Sequence, residues 1–464
     1  MTVEQLYGRL PVSIQNAICS LQGWKIQKTR YSSSFWKMFT AVQARGSAGL
    51  LGAEVFRDIR LNSFVRHSVE TVPYYQDLFK KLGLRPEDIK TLDDLKALPV
   101  LNKAQVQDEP ERFRSDVISE RALISVHTSG TTGSGLQFLS TAEAQHELWA
   151  VWWRYWDWHG IRPGTWSANF GWRPIVPVAQ DRPPFWRINH PGRQILFSAY
   201  HATPENLSHY LNELRMRQPP WLHGFPSQLA VLASHLLETG FELGYQPRWI
   251  TIGAENLLPH QVALIEAAFG RAPLQHYGMA EAIANISQCE LGRLHVDEDF
   301  AAVEFLETGQ EDIYRIVGTN MSNLATPLLR YEVGDQAELS LQSCLCGRPG
   351  RIVKTIDGRK DDYVITATGA KVGRLGNVFK DLEGVREAQI RQSKPGEVTV
   401  LIVKSARYHD GDEAEMRRQF ASRLGSSMKV NVAYVQAIER TKRGKLRFVV
   451  NDIPAGAIDE IEKP

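Results

Sequence analysis

His127-Thr128-Ser129-Gly130-Thr131-Thr132-Gly133-Ser134-Gly135 packs five hydroxyls and three glycines into nine residues, directly after the apolar stretch Ala122-Leu123-Ile124-Ser125-Val126. Glycine lets backbone N–H groups crowd round an anion at dihedrals other residues avoid, and Ser and Thr hydroxyls add further donors. Thr128, Ser129, Gly130, Thr131, Thr132 and Gly133 therefore read as a polyphosphate cradle placed after a strand. The run lacks the Gly-Lys-Ser/Thr ending of a P-loop, so no lysine of its own reaches the β- and γ-phosphates. A polar surface turn is the competing reading of the same residues.

The remainder of the chain narrows the choice. Its 464 residues exceed one ordinary core, so two or three domains are expected. Hydrophobic residues at 43% and charged residues at 23% describe a globular composition. A net charge of +2 gives no electrostatic case for nucleic acid as a partner. No run approaches the roughly 20 apolar residues that span a bilayer, and Met1-Thr2-Val3-Glu4-Gln5 lacks a basic-then-apolar leader. Four cysteines in this length argue for a reducing compartment, so a cytoplasmic enzyme is expected.

Residues 1–115 read as mostly helical. Val55, Ile59, Leu61, Phe64 and Val65 are spaced as one helical face between Glu54 and Glu70, and a short helix follows from Tyr75 to Leu82. Leu84–Asp88 reads as a turn opening another helix, and no site residue is expected in this part. Trp149, Trp152, Trp153 and Trp156 fall at i, i+3, i+4, i+7 on one face of the next helix. They read either as core or as an aromatic wall for an acyl group. Gln228–Leu237 and Pro259–Phe269 read as helices around a buried strand, Trp249–Ile252. That alternation predicts an α/β domain with a largely parallel sheet, whose strand-end loops Gly253-Ala254-Glu255 and His276-Tyr277-Gly278 would meet ligand. Beyond Gly358 the pattern becomes strand, strand, helix, strand (Val385–Arg391, Glu397–Val403, Glu413–Leu424, Lys429–Val435), a separate α+β unit. The expected division is a large α/β domain over 1–357 and a small mobile α+β domain over 358–464.

Five short stretches stand in order: Thr128–Gly135, Tyr277-Gly278-Met279-Ala280-Glu281, Tyr331-Glu332-Val333-Gly334-Asp335, Gly358-Arg359-Lys360-Asp361-Asp362 and Arg443-Gly444-Lys445. This ordered set resembles the adenylate-forming superfamily of acyl-CoA ligases, adenylation domains and luciferases. Val72-Pro73-Tyr74-Tyr75, Leu98–Lys103 and Gly224-Phe225-Pro226-Ser227 look most like its phenylacetate-CoA ligase branch, which includes capsular-polysaccharide proteins. The resemblance covers nearly the whole chain.

The resemblance implies roles. Lys445 would be the catalytic lysine, carried by the small domain to the carboxylate and α-phosphate, and Glu281 the magnesium ligand. Asp335 would hold the ribose hydroxyls, and Arg359 would lie near ribose and phosphates. Tyr277, with Gly278 and Met279 beside it, would stack near adenine across from Gly253, Ala254 and Glu255, with Asp361 at the hinge. The chemistry agrees with such a set. Driving a carboxylate onto a phosphate brings two anions together, which costs about 4 kcal/mol at ~4 Å and an effective dielectric of ~20. Mg²⁺ and a mobile lysine supply the offsetting charge. Two departures stand out: Ala280 where the family often has Thr, and Ser134-Gly135 where many relatives have Lys-Pro.

Cys289, His295, Cys344 and Cys346 form a donor set suited to structural zinc, although Cys-x-Cys is an unusual spacing and buried free cysteines beside a surface histidine are the plainer alternative. Some relatives in this branch carry zinc at a similar set. Cys19 reads as a packing residue. The expected function is an ATP-dependent carboxylic acid ligase that forms an acyl-adenylate and then a thioester with coenzyme A, on an aromatic or small organic acid. A carrier protein or an amine is the alternative acceptor, and a nucleotide-binding non-catalytic relative is a further alternative. ATP, Mg²⁺, coenzyme A and Zn²⁺ are the expected cofactors. No nucleic-acid or membrane partner is expected, and a homodimer stays open.

Overall fold

The computed structural model describes residues 3–128, 136–171, 175–254, 257, 259–308, 312–357, 363–372, 375–379, 382, 385–404, 408–425, 427–436, 438–439 and 449–453. The helical N-terminal part holds Val12–Arg30, Ser33–Gly46, Gly49–Thr71 and Pro73–Leu82. Their ends follow local chemistry. Ser32 caps one helix by accepting from the Phe35 N–H at 3.4 Å, Pro73 opens another, and Gly83 closes it at φ 66°. The expected face on Gly49–Thr71 needs correction: Leu61, Phe64 and Val65 are buried, whereas Val55 and Ile59 are 52% and 64% exposed. The inward row instead runs Ala53, Arg57, Leu61, Phe64, Ser68. Arg57 occupies it because Glu298 meets its guanidinium at 3.0 Å, and a charge in that row disguises the apolar period. The turn expected to open a helix at Pro86 stops after one 3₁₀ turn, Pro86–Asp88, where Ile89 plugs the core.

Two sheets carry the middle of the chain. A five-stranded sheet runs Trp186–Asn189, Gln194–Ser198, Ser167–Gly171, Trp221–Gly224, Trp249–Ile252 in spatial order, parallel except at its first strand. Helices Pro204–Arg217 and Pro226–Thr239 lie between successive parallel strands as crossovers. The second sheet has seven strands, in the order Ala301–Glu307, Ile313–Asn320, Tyr331–Ser340, Ile352–Asp357, Leu294–Val296, Asn285–Gln288, His276–Gly278. Among the described residues, the parallel strand ladders of the large part lie in the first sheet and isolated parallel bridges join Leu101 to Tyr331 and Thr251 to Leu274, while every strand–strand pairing within the second sheet is antiparallel. Its short connections leave no room for the dozen or more residues a parallel crossover needs.

The sheets meet where Leu274 donates to Ile250 at 2.8 Å and accepts from Ile252 at 3.0 Å. The C-terminal part folds as a four-stranded sheet ordered Lys429–Tyr434, Glu397–Lys404, Val385–Lys394, Val449–Asn451. Helix Asp410–Leu424 buries Met416, Phe420 and Leu424 against it, the inward set its spacing implied. The strand Val449–Asn451 was not evident in the sequence. No helix among the described residues is long and apolar enough to cross a membrane.

Candidate active site

A cavity of about 1180 Å³ opens beside the seam between the two sheets. This exceeds the usual ligand pocket of roughly 300–1,000 Å³, and suits a nucleotide and a second substrate together. Gly171, Gly224, Ile252 and Gly253, at the carboxyl ends of parallel strands, form one side. Gly224 has to be glycine, since a Cβ there would lie 2.8 Å from Phe170 Cβ and 2.9 Å from its carbonyl oxygen. Tyr277 to Glu281, which continue from the edge strand of the antiparallel sheet, form the opposite side.

Thr128, Gly253, Ala254, Tyr277, Gly278, Met279, Glu281 and Asp335 all line this single cavity, although they are far apart in sequence. Tyr277 donates its hydroxyl to Asp335 Oδ2 at 2.8 Å, which fixes the ring edge and one carboxylate oxygen together. Glu281 sits on a tight turn: Ala282 N–H bonds the Met279 carbonyl at 3.2 Å, Ala282 adopts φ 55°, and Asn320 Nδ2 holds the Glu281 carbonyl at 2.6 Å. Ala254 is likewise left-handed, at φ 67°, which turns the chain at the strand end. Thr128 closes the base of the glycine-rich run. Its N–H donates to the Leu136 carbonyl at 2.9 Å, and its hydroxyl accepts from the Leu136 N–H at 2.8 Å. Ser129, Gly130, Thr131, Thr132, Gly133, Ser134, Glu255, Arg359, Asp361 and Lys445 lie outside the described residues.

The tryptophan helix, Ala142–Trp158, contributes both to the core and to the cavity lining. Trp153 and Trp156 are 7% exposed and belong to the core, while Trp149 and Trp152 are half-buried; all four line the cavity. The N-terminal part contributes more than its sequence suggested. Cys19, Gly23, Ile26, Arg30 and Tyr31 on or beside helix Val12–Arg30 also line the cavity, and Arg30 stacks 3.6 Å from the Trp149 ring centroid. Nothing local marks these residues, because their position depends on how that helix packs on strand Trp186–Asn189, with only its C-terminal end reaching the tryptophan helix. His276 is a further lining residue; burial pushes its pKa down to about 3, so the imidazole is neutral at physiological pH.

Behind the cavity lies a buried ionic network. Arg154, on the tryptophan helix, meets Asp297 at 2.7 Å and Asp299 at 2.9 Å, while Arg45 and Arg60 each meet Glu147 at 2.7 Å. Burial works to raise the Glu147 carboxyl, but Arg60 and Arg45 outweigh it and hold the group below its usual pKa.

The thiols of Cys289, Cys344 and Cys346 and an imidazole nitrogen of His295 all fall within 4.8 Å of one another. Cys289 Sγ lies 3.7 Å from Cys344 Sγ, too far for a disulfide, and Cys346 Sγ lies 3.4 Å from His295 Nε2. Tetrahedral zinc with bonds of about 2.3 Å to sulfur and 2.0–2.1 Å to nitrogen implies edges of about 3.7 Å and 3.6 Å. His295 Nδ1 bonds the Pro349 carbonyl at 3.0 Å, which directs the ring proton there and leaves Nε2 as the lone-pair donor. The Arg348 N–H approaches Cys346 Sγ at 3.4 Å. The donor set therefore fits a structural zinc ion, and it would join the turn after Asn285–Gln288 to the loop after Tyr331–Ser340.

The fold is that of the adenylate-forming ligases. A solved 2-hydroxyisobutyryl-CoA ligase, in complex with 2-HIB-AMP and CoA in the thioesterification state, matches 88% of this chain and 91% of its own with a TM-score of 0.54 at 19% identity. Within that class, the sequence relatives place the chain beside CapK and the phenylacetate-CoA ligases. Protein CapK of Staphylococcus aureus is 26% identical over 459 residues, covering 97% of this chain and 100% of its own. Phenylacetate-coenzyme A ligase of Thermus thermophilus is 25% identical over 321 residues, covering 66% of this chain and 70% of its own. Residues 364–452 match the CapK C-terminal domain family.

Proposed function

We propose that the chain is an AMP-forming acid–thiol ligase, which joins a carboxylate to AMP with loss of pyrophosphate and then passes the acyl group to a thiol. The observation that carries this is the convergence of Thr128, Tyr277, Glu281 and Asp335 on one cavity roofed by tryptophans. In this reading Asp335, oriented by Tyr277, holds the ribose hydroxyls, and Gly253 and Ala254 at the strand end cover the adenine. The run Thr128–Gly133 receives the β- and γ-phosphates. Glu281 offers the hard oxygen donor that a nucleotide-bound Mg²⁺ takes, and that ion supplies charge neutralisation at the phosphates. The carboxylate attacks the α-phosphorus from the tryptophan side, the α–β bridging bond breaks, and pyrophosphate leaves.

Lys445 and Arg359 supply the remaining positive charge, brought by a small domain that begins near residue 358. The thiol then attacks the acyl carbon, and AMP leaves with the bonding pair. Coenzyme A is the acceptor favoured by the names of the relatives, with a carrier protein or an amine as the contrasting case. Cys289, His295, Cys344 and Cys346 hold zinc in a structural role, outside the reaction.

ATP–pyrophosphate exchange across a panel of carboxylic acids tests the first step, and AMP release with coenzyme A against carrier protein and amines tests the second. Exchange that falls by two or more orders of magnitude in Lys445→Ala is the expected result, since removing one preorganised charge-stabilising group costs about 10²–10³ in rate. Absence of exchange with every acid, alongside nucleotide binding, would leave a non-catalytic nucleotide binder, the reading that Ala280 favours.

A further inference from the structure

The cavity wall formed by the tryptophan helix is not purely apolar. Trp152 and Tyr155 both face His276, with ring centroids 4.8 Å and 5.1 Å away, and all three residues line the cavity. Trp152 Nε1, the Tyr155 hydroxyl and His276 Nε2 are buried without a hydrogen-bond partner among the described residues, and Asn285, whose Oδ1 is also unpaired, lies close enough to His276 to work against the lowering of its pKa. Tyr155 is only 1% exposed. Gly278 packs closely against the same group: a Cβ there would lie 2.8 Å from Asn285 Oδ1, 2.9 Å from His276 Cε1 and 3.2 Å from Trp152 Nε1. Folded proteins pair about nine in ten buried polar groups, so three unpaired polar atoms in one patch of wall are out of character for core packing. Phe and Leu would have filled the same volume without that cost.

We propose that the acid taken by this cavity carries an oxygen-bearing substituent, a hydroxyl or a carbonyl, beyond its carboxylate, and that Trp152, Tyr155 and His276 hydrogen-bond it. This rests on the acid-activating reading above. The donor inventory sets the chemistry. An indole N–H only donates, so the substituent has to accept; a hydrocarbon end leaves that donor unpaired, and an ammonium cannot accept at all. Burial lowers the pKa of His276, and the resulting neutral ring, like a phenol, both donates and accepts. A substrate hydroxyl can therefore accept from Trp152 while donating to His276 or Tyr155, and a carbonyl can accept from any of them. An acyl group that seats against these atoms has to satisfy them or leave them unpaired, at a cost in affinity. The expected substrates are hydroxyaryl, hydroxy or oxo acids rather than plain phenyl or alkyl acids.

Pyrophosphate exchange with matched pairs on the full chain tests this: phenylacetate against its 3- and 4-hydroxy derivatives, and butyrate against 3-hydroxybutyrate and acetoacetate. The oxygenated member of a pair should be favoured in kcat/KM by at least about ten-fold, since a site built to bond a hydroxyl rejects the analogue lacking it. Tyr155→Phe should lower that ratio by about five-fold or more, and Trp152→Phe should act in the same sense. Both acids meet the same protein sample, so a loss of folded protein cancels in the ratio. Exchange that favours the unsubstituted acid in every pair, or a ratio indifferent to both substitutions, overturns the proposal while acid activation stands. Exchange with none of the acids removes the ligase reading and this one with it.

Discussion

Cys344→Ser, or prolonged dialysis against a chelator, should lower the melting temperature of the protein by about 4 °C. Cys289 Sγ–Cys344 Sγ at 3.7 Å and Cys346 Sγ–His295 Nε2 at 3.4 Å lie near tetrahedral edge lengths, and all four donors fall within 4.8 Å of one another, so metal binding needs only small side-chain adjustments. Zinc then ties Cys289 to Cys344 across 55 residues of chain. Treated as a covalent tie, a loop of that size restricts the unfolded chain by about 4 kcal/mol at 25 °C. Leu341 and Leu345 are 105% and 94% exposed and contribute no apolar anchor, so besides the cysteine cluster the segment is held by polar contacts such as Arg348 to Glu290 at 2.8 Å. An unfolding entropy of about 2.1 cal/mol/K per residue converts that energy into a shift of about 4 °C for a chain this long. Elemental analysis should find one zinc per chain in the native protein and much less in Cys344→Ser, with Cys19→Ser retaining a full complement. Sub-stoichiometric metal in freshly purified protein, together with a melting curve indifferent to chelator, would refute the reasoning.

Other perturbations reach other parts of the site. Tyr277→Phe removes the 2.8 Å bond to Asp335, and initial-rate kinetics should show KM for ATP rising about five- to ten-fold, the worth of one hydrogen bond of about 1–1.5 kcal/mol. Arg154→Ala leaves Asp297 and Asp299 as buried carboxylates without their guanidinium, and urea denaturation should report a loss of about 3–5 kcal/mol. Stability should also fall as pH drops below about 6.5, where histidine in the unfolded chain begins to take up protons. Burial depresses the folded pKa of His276 to about 3 and of His201 to about 4, so their contribution is complete above the unfolded value and is lost on acidification toward those folded values. Thermal melts between about pH 4 and pH 8 measure that slope, and a melting temperature flat across the range would contradict it.

What the sequence made legible was whatever depended on neighbours along the chain. Trp249–Ile252 and Pro259–Phe269 were readable as strand and helix because an apolar run and a helical period are local signals. Met416, Phe420 and Leu424 were readable as inward for the same reason. The row on Gly49–Thr71 was misread because Arg57 is inward, and its partner Glu298 lies 241 residues away. The seven-stranded antiparallel sheet was hidden by the brevity of strands such as His276–Gly278 and Leu294–Val296, three residues each. The cysteine cluster showed itself through chemistry, since few other roles call for three thiols and a histidine. The part of the cavity built from Cys19, Ile26 and Arg30 had no such mark, because it arises from a helix packing on a strand more than a hundred residues later. The assignments of Lys445 and Arg359 rest on the motif order.

The tryptophan helix connects these observations. One side carries Glu147 and Arg154 into the ionic network, and the other presents Trp149, Trp152 and Trp156 to the cavity. Asp297, which anchors Arg154, also accepts from Asn285 Nδ2 at 2.6 Å and Ser287 Oγ at 2.7 Å, on the strand paired with His276–Gly278. Two residues before Asp297 stands His295 of the cysteine cluster. Apolar packing alone resists sliding weakly, because its energy depends on area rather than direction. Charge-assisted hydrogen bonds are directional, and here they tie the helix to Asp297 and through it to Asn285–Gln288, the strand paired with His276–Gly278. Such a network gains little net stability over well-packed apolar residues. Its physical advantage lies in position: Trp152, Tyr155 and His276 are held at a fixed mutual distance before any ligand arrives, so the ordering cost is met by the fold rather than by the bound acid.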